Sequence, residues 1–346
     1  MMNSCFLRVD ANKKIGYGHL SRCRIIADEL IKNKIKPVFL VHDTDASILK
    51  LLSDQNYEYR ILQADDPQEI ISSKNLYKAQ KYLLIFDTDI ELYYNKETQH
   101  DLISAGFKLV YFTFWDQYLY YAHIIINQNP LSLTHHYQTA DHTKKLLGPD
   151  YMIFDNQFVD ASGIGSEQGN AKAWDFFLSF GGTDIPDTTA KTIKALELLD
   201  INIRFCNVVI GALYQNERRL YDLIDNCPFE CRIFKQIPNI SDIMQQSNIA
   251  ISSGGLTLWE LAVMNVPTAV ISYSDREKIT ADHLDNRGWT YHMGSADQLD
   301  PLLLSEKIRT FISSEDLMNR TKSLRDIINI NGKQNIVKEL ILLLDE

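Results

Sequence analysis

Short apolar runs alternate with amphipathic stretches along the first half of the chain. The apolar runs predict strands at residues 6–9, 36–41, 82–86, 108–112 and 123–126. Apolar residues at helical spacing predict helices near residues 21–33, 46–55 and 66–79. This alternation is typical of βαβ units, and it therefore predicts a parallel sheet with helices on both faces.

The second half repeats this alternation after a polar, glycine-rich segment at residues 160–170. Its predicted strands cover residues 176–180, 203–210, 231–234, 249–252 and 268–272, and an amphipathic helical tail follows from about residue 314. We therefore predict an α/β protein of two doubly wound, Rossmann-like domains facing one another across a cleft. The expected boundaries are an N-terminal domain at 1–160, a linker at 161–172 and a C-terminal domain with a helical tail at 173–346.

Composition narrows the classes of partner. The chain of 346 residues has 45 acidic side chains against 35 Lys and Arg, a formal net charge of −10 at pH 7. Nonspecific nucleic-acid binding requires a basic surface, so this balance argues against a nucleic-acid partner. No apolar run approaches the ~18 residues of a membrane span, and no signal-peptide pattern begins the chain. The five scattered cysteines predict reduced thiols and a cytoplasmic location.

The first glycine turn carries the most distinctive chemistry in the chain. Gly16 and Gly18 fall between the predicted strand at 6–9 and the next helix, and His19 opens that helix. Free backbone N–H groups at a helix N-terminus favour an anion, and glycine lets a ligand approach closely. Histidine is the side chain best suited to proton transfer near neutral pH. We expect part of an active site here, and the alternative is a capped turn with a surface histidine.

Gly181, Gly182 and Thr183 repeat this design after a strand of the second half. One interpretation is a turn that faces a phosphate group. The other is a tight turn in which Thr183 or Asp184 caps the next helix. The pattern alone favours neither interpretation.

The segment from Gly254 to Glu260 is a stronger anion-binding candidate. A buried apolar strand ends in Gly254 and Gly255, and a helix follows at once. Backbone N–H groups around Gly255, Leu256 and Thr257 can hold a diphosphate without a lysine. Glu260 can accept hydrogen bonds from two adjacent sugar hydroxyls. The alternative is a capping box, because Thr-x-x-Glu is also a helix-start signal.

Further candidates for contact with a substrate follow other predicted strands. They are Asp10, Asp89, Arg276 and Glu277. The alternatives are a solvated charged turn at 275–277 and structural capping at 87–89. His135, His136 and His142 lie close together in sequence, but no acid at regular spacing supports a metal site. We therefore predict no metal and no cofactor.

The pattern of these motifs is similar to that of one known family. Arg8-x-Asp10, Ile15-Gly-x-Gly-His19-x-x-Arg22-Cys23, Phe180–Asp184 and Gly254–Glu260 resemble the UDP-sugar hydrolases of pseudaminic acid biosynthesis and the related spore-coat polysaccharide proteins. The resemblance runs from Arg8 to about Gly288. It implies the two-domain GT-B fold, which the glycosyltransferase that makes lipid II shares.

The resemblance also implies roles for individual residues. His19 would be the catalytic base, and Ile237 would lie near uracil. The diphosphate and ribose would be held by Gly255, Leu256, Thr257 and Glu260. The implied reaction is hydrolysis of a UDP-linked diacetamido-deoxy sugar at its anomeric carbon, in nonulosonic-acid or surface-glycan synthesis.

The chain departs from the family pattern where the sugar would be recognised. Asp87-Thr88-Asp89 replaces Asp-His-Tyr, and Thr113-Phe114 replaces two acids. Asp155 replaces an arginine, and Arg276-Glu277 replaces Asn-Gln. Two alternatives therefore stay open beside the hydrolase. One is an inverting glycosyltransferase with the same donor site, and the other is an inactive nucleotide-sugar binding protein.

Overall fold

A computed structural model describes residues 3–12, 17–162, 173–184, 186–235 and 237–346. The chain forms two compact units. Unit 1 consists of Met1–Phe154 and Asn329–Glu346, and unit 2 consists of Asp155–Ile328. None of the helices in the described ranges combines the length and the apolar character that crossing a membrane requires.

Unit 1 is built on a 7-stranded sheet in the order β3-β2-β1-β4-β5-β7-β9. Its strands are β1 (Asn3–Val9), β2 (Ile35–Val41), β3 (Glu58–Ile61), β4 (Tyr82–Asp87), β5 (Phe107–Phe112), β7 (Ile124–Asn127) and β9 (Lys144–Leu147). Every neighbouring pair in this sheet is parallel. The short strands β6 (Leu119–Tyr120) and β8 (Gln138–Thr139) form a separate pair.

Helices cover both faces of this sheet. They are α1 (Gly18–Lys32), α2 (Ala46–Asp54), α3 (Pro67–Lys74), α4 (Lys96–Ser104) and, from the end of the chain, α13 (Gly332–Asp345). Alternate residues of β1 enter different cores: Leu7 packs in the cluster that includes α1 and α13, whereas Phe6 packs in the opposite cluster. The two-residue period of a strand explains this division, so β1 contributes side chains to the cores on both faces of the sheet.

Unit 2 has a 6-stranded parallel sheet in the order β12-β11-β10-β13-β14-β15. The strands are β10 (Trp174–Ser179), β11 (Ile203–Ile210), β12 (Glu230–Lys235), β13 (Ile249–Ser252), β14 (Thr268–Ser272) and β15 (Tyr291–Ser295). The helices are α5 (Asn156–Ala161), α6 (Thr188–Glu197), α7 (Glu217–Ile224), α8 (Ile240–Gln245), α9 (Leu256–Val263), α10 (Asp275–Asn286), α11 (Pro301–Ile312) and α12 (Leu317–Asp326). Strand order reverses beside the first strand of each unit, as in doubly wound folds.

The structure corrects the expected domain boundaries. The end of the helical tail, Asn329–Glu346, belongs to unit 1 and not to the C-terminal unit. Ile336, Val337 and Leu340 of α13 enter the unit 1 core, where their apolar face is buried. The first boundary falls after Phe154, and residues 163–172 of the expected linker lie outside the described residues.

Candidate functional site

The histidine predicted as the base lies in the first turn of α1, where the described part of the glycine turn includes Gly18 but not Gly16. His19 Nδ1 is 3.1 Å from the backbone carbonyl oxygen of Asp87 and 3.4 Å from its carboxylate Oδ1. Both oxygens can only accept a hydrogen bond, so Nδ1 carries the proton of the neutral ring and Nε2 keeps a lone pair. The His19 side chain is 15% exposed. The ring is therefore oriented through Nδ1 and partly exposed, and Nε2 is the nitrogen with the lone pair of a base.

Asp87 is fixed by Arg22, whose side chain is 20% exposed. Arg22 donates from Nε to Oδ2 at 2.8 Å and from Nη2 to Oδ1 at 2.5 Å, and its guanidinium lies 4.8 Å from the centre of the Phe112 ring. Burial raises the pKa of Asp87, but the charges of Arg22 and then His19 outweigh it and hold that pKa below its ordinary value. The carboxylate beneath His19 therefore stays ionised at neutral pH.

Sequence reasoning left Asp87 and Arg22 out of the candidate site. The available signal was an acid at the carboxyl end of a buried strand, together with an arginine one helical turn after His19. β4 pairs with β1, so the end of β4 lies beside the turn that carries His19. The sequence does not give the strand order of the sheet, which is what places Asp87 beside His19.

Asp10, a predicted sugar contact, is buried in unit 1, and each of its two carboxylate oxygens has a partner within the unit. Its Oδ1 pairs with Arg8 at 2.7 Å, and its Oδ2 accepts from the Thr88 hydroxyl. The side chain links the ends of β1 and β4, so a structural role accounts for it. Asp89 follows Thr88 at the same sheet edge and is exposed, so its role in binding a sugar stays a prediction.

In unit 2, the turn that carries Gly181, Gly182 and Thr183 is closed by a capping residue. Asp184 accepts hydrogen bonds from the backbone N–H groups of Thr188 at 2.8 Å and Thr189 at 2.9 Å. These are N-terminal donors of α6, so the capping interpretation describes Asp184. Gly182 packs against Gly211, where an added Cβ would lie 2.2 Å from the Gly182 carbonyl oxygen. Phosphate contact at Gly181, Gly182 and Thr183 stays a prediction.

The turn from Gly254 into α9 differs from the Gly181–Asp184 turn in how the N-terminus of its helix begins. Gly255 is the N-cap of α9, and it has no side chain that could cap the helix. The alternative of a capping box is therefore wrong, because Thr257 lies inside the helix and not at its N-cap. The first N–H groups of a helix have no partner within it. Those of Leu256 and Thr257 are therefore suited to an anion.

Glu260 lies one turn into α9, and its carboxyl group has an unusual proton affinity. Burial, and secondarily the negative charge of Asp155, raises the pKa of Glu260 to about 8. Among the described residues, no positive charge offsets this effect. At neutral pH the group is therefore largely protonated, and it can both donate and accept a hydrogen bond.

Glu277 is placed differently from its prediction as a sugar contact. It is 9% exposed, and its carboxylate accepts hydrogen bonds from the backbone N–H groups of Tyr273 at 3.2 Å and of Gly254. Burial raises the pKa of Glu277 to about 7 despite these donors. The side chain joins the turns after β13 and β14, so it positions Gly254. Arg276 and Ile237 are both partly buried, after β14 and β12 respectively.

Comparison with curated proteins finds distant relatives of the chain, although no protein-family model matches it. The spore coat polysaccharide biosynthesis protein SpsG of Bacillus subtilis is 21% identical over 89% of this chain and 88% of its own length. A UDP-2,4-diacetamido-2,4,6-trideoxy-β-L-altropyranose hydrolase of Campylobacter jejuni is 23% identical over 82% of this chain and 96% of its own. Uncharacterized protein MJ1062 of Methanocaldococcus jannaschii is 23% identical over 78% of this chain but 55% of its own, so the chain spans about half of that protein. The chain is a distant homologue of these proteins.

Solved structures similar to the whole chain include glycosyltransferases. MurG of Acinetobacter baumannii has a TM-score of 0.69 at 13% identity, covering 99% of this chain and 100% of that one. The spinosyn rhamnosyltransferase SpnG has a TM-score of 0.68 at 12% identity, covering 100% of both chains. At such identities the likeness establishes the fold alone. The chain has the GT-B fold.

Proposed function

We propose that this protein is an enzyme that hydrolyses a UDP-sugar, releasing UDP and a free sugar. The observation that carries the proposal is the His19–Asp87–Arg22 arrangement. The ion pair of Arg22 with the buried Asp87 fixes His19 through Nδ1 and leaves Nε2 as a base at the carboxyl edge of a parallel sheet. Ligands of such sheets bind at this edge, and a base oriented by a third group is the usual arrangement for proton transfer.

In the proposed reaction, His19 Nε2 takes a proton from water as the water oxygen bonds to the anomeric carbon. The bond from that carbon to the diphosphate oxygen breaks, and its electron pair leaves with UDP. The departing diphosphate needs no proton, so a single base suffices on the side of the nucleophile. The proton then leaves the imidazolium for solvent.

Unit 2 would hold the nucleotide. N–H groups around Gly255, Leu256 and Thr257 would bind the diphosphate and stabilise its increasing negative charge. Glu260 would contact the ribose, and Ile237 would lie near uracil. The N-cap of α9 supports this assignment, because Gly255 has no side chain that could take an N-terminal donor of the helix.

The substrate we propose is a UDP-linked acetamido-deoxy sugar used in surface-glycan synthesis. Support comes from the names of the Campylobacter jejuni and Bacillus subtilis relatives. The sugar itself could differ from that of the hydrolase, because Thr88 and Phe114 stand where the family pattern has other side chains.

An inverting glycosyltransferase is the second candidate. Solved structures with similar folds include glycosyltransferases, and the altered positions lie where a sugar or acceptor would bind. In that reaction His19 would take its proton from an acceptor hydroxyl, while the nucleotide site would be unchanged. A nucleotide-sugar binding protein without activity is the third candidate.

Incubation with UDP-sugars without an acceptor separates these candidates. We suggest the diacetamido-trideoxy-altropyranose donor and UDP-N-acetylglucosamine, in ¹⁸O-water, with mass-spectrometric detection of both products. The hydrolase predicts rapid release of UDP with no label in its phosphates, because the sugar carbon is attacked. Release only after an acceptor is added would identify a transferase, and tight UDP binding without turnover would identify a binding protein.

A further inference from the structure

Unit 1 contains a second histidine–aspartate pair at the carboxyl edge of its sheet. His42 follows β2 and Asp65 follows β3, so both lie at the end of the sheet where Asp87 lies. His42 Nδ1 is 3.0 Å from Asp65 Oδ2. The His42 side chain is 29% exposed, and the proposed reaction leaves it without a role.

A buried arginine fixes this pair, as Arg22 fixes the first one. Arg8 donates from Nη2 to Asp65 Oδ1 at 2.5 Å, and its side chain is 0% exposed. Burial lowers the pKa of Arg8, but its contacts with Asp10, Tyr93 and Asp65 outweigh this and raise it above its ordinary value. Arg8 is therefore a permanent cation that holds one carboxylate oxygen, which leaves the other to orient His42.

Hydrogen bonds join the loop that carries His42 to the segment after β1. The Thr44 hydroxyl donates to the carbonyl of Ala11 at 2.8 Å, and Asn12 Nδ2 donates to the carbonyl of Asp43 at 3.4 Å. β2 and β4 flank β1 on opposite sides, and neighbouring strands are about 4.8 Å apart. The strands that end at His42 and Asp87 are therefore separated by roughly 10 Å at this edge.

We propose that His42 is a further substrate-contacting residue of unit 1, which binds the sugar portion of the nucleotide sugar. Asp65 accepts the proton on Nδ1, so the neutral ring presents Nε2 as an acceptor. The contact therefore selects a hydroxyl or acetamido N–H of the sugar. This inference rests on the proposed function, and it adds a specificity residue to the base His19.

The test compares His42→Phe with His42→Gln. Phe keeps a planar ring but has no nitrogen, whereas the Gln amide places a polar atom near the position of Nε2. We expect His42→Phe to raise KM for the UDP-sugar by about tenfold, the loss of one hydrogen bond. The affinity for UDP, which lacks the sugar, stays unchanged, and His42→Gln recovers part of the loss. Unchanged KM and kcat in a folded His42→Phe would overturn the proposal, and so would a parallel loss of UDP affinity.

A second test is an NMR titration of protein that keeps His42, so it does not require a His42 variant to fold. In ¹⁵N-histidine-labelled His19→Ala protein, which lacks the proposed base, the His42 Nε2 resonance shifts when UDP-sugar is added and stays in place with UDP. Equal shifts with both, or none with either, would overturn the role of His42. The proposed function fails separately, when wild-type protein neither binds UDP nor releases it from a UDP-sugar.

Discussion

The carboxyl edges of the two sheets contain carboxyl groups of opposite character. In unit 1, Asp87 is buried and paired with Arg22, and its pKa is held below the ordinary value. In unit 2, Glu260 is partly buried; no cation among the described residues compensates, and its pKa is raised to about 8. Burial penalises both ionised groups, so the partner decides the sign of the shift.

The opposite charge states of Asp87 and Glu260 suit two different functions, proton transfer in unit 1 and anion binding in unit 2. The fixed negative charge of Asp87 orients a base and stabilises the imidazolium that forms when His19 takes a proton. A protonated Glu260 adds no negative charge beside the N-terminus of α9, where a diphosphate is expected. We infer that unit 1 is built for proton transfer and unit 2 for holding an anion.

Replacing the base gives the largest expected effect. His19→Ala should lower kcat by about 10²–10⁴-fold, the usual contribution of a positioned general base. The affinity for UDP should change little, because the nucleotide contacts are assigned to unit 2. Steady-state kinetics and calorimetry with UDP measure the two quantities, and His100→Ala on the exposed surface of α4 is the control. Unchanged turnover would remove His19 from the reaction.

Neutralising the orienting carboxylate comes next. Asp87→Asn keeps the size of the side chain but leaves Arg22, which is 20% exposed, without its counter-ion, which should destabilise the fold by about 3 kcal/mol. The activity that remains should fall as well, because Asn neither keeps the proton of His19 on Nδ1 nor stabilises the imidazolium. Asp175→Asn is a matched control, because Asp175 is buried but its partner Arg204 is 64% exposed. Equal effects of the two variants on kcat would contradict the role of Asp87.

The raised pKa of Glu260 predicts a smaller effect on stability. Below the ordinary pKa of 4.5 the group is protonated in both states, and the unfolded chain loses its proton first as the pH rises towards 8. Stability should therefore decline across this window, because the folded state binds the extra proton. Glu260→Gln removes this decline, so its melting temperature relative to wild type should be a few °C higher at pH 8 than at pH 5. A constant difference would show that Glu260 is ionised in the folded protein.

Much of the fold could be predicted from periodicity alone. The strand at 249–252 was predicted with the bounds that the structure gives it, Ile249–Ser252. The destination of the C-terminal helix could not be predicted, because the apolar face of α13 would suit a core in either unit. Contacts such as Lys333 Nζ with the Phe154 carbonyl, at 2.9 Å, join it to unit 1.

Within the site, the sequence located motifs better than it located side chains. It identified the His19 turn and the glycines before α9, because these depend on local order along the chain. It did not find the His19–Asp87 contact, which depends on strand order. It offered Glu277 as a possible sugar contact or as part of a solvated charged turn, whereas the buried side chain accepts hydrogen bonds from the N–H groups of Gly254 and Tyr273. The direction in which a side chain in the first turn of a helix points is set by tertiary packing, which the local sequence does not show.

The affinity for UDP of a Leu256→Pro variant tests the division between the two units most directly. Leu256 is the first residue of α9 after its extended N-cap, Gly255, and proline at that position preserves a helix while removing one N–H donor. Ala46→Pro makes the same change at the start of α2, where the N-cap Asp45 is also extended. We predict that Leu256→Pro weakens UDP binding by about tenfold or more, the loss of a hydrogen bond to a charged group, and that Ala46→Pro does not. Unchanged UDP affinity in a folded Leu256→Pro variant would contradict the account.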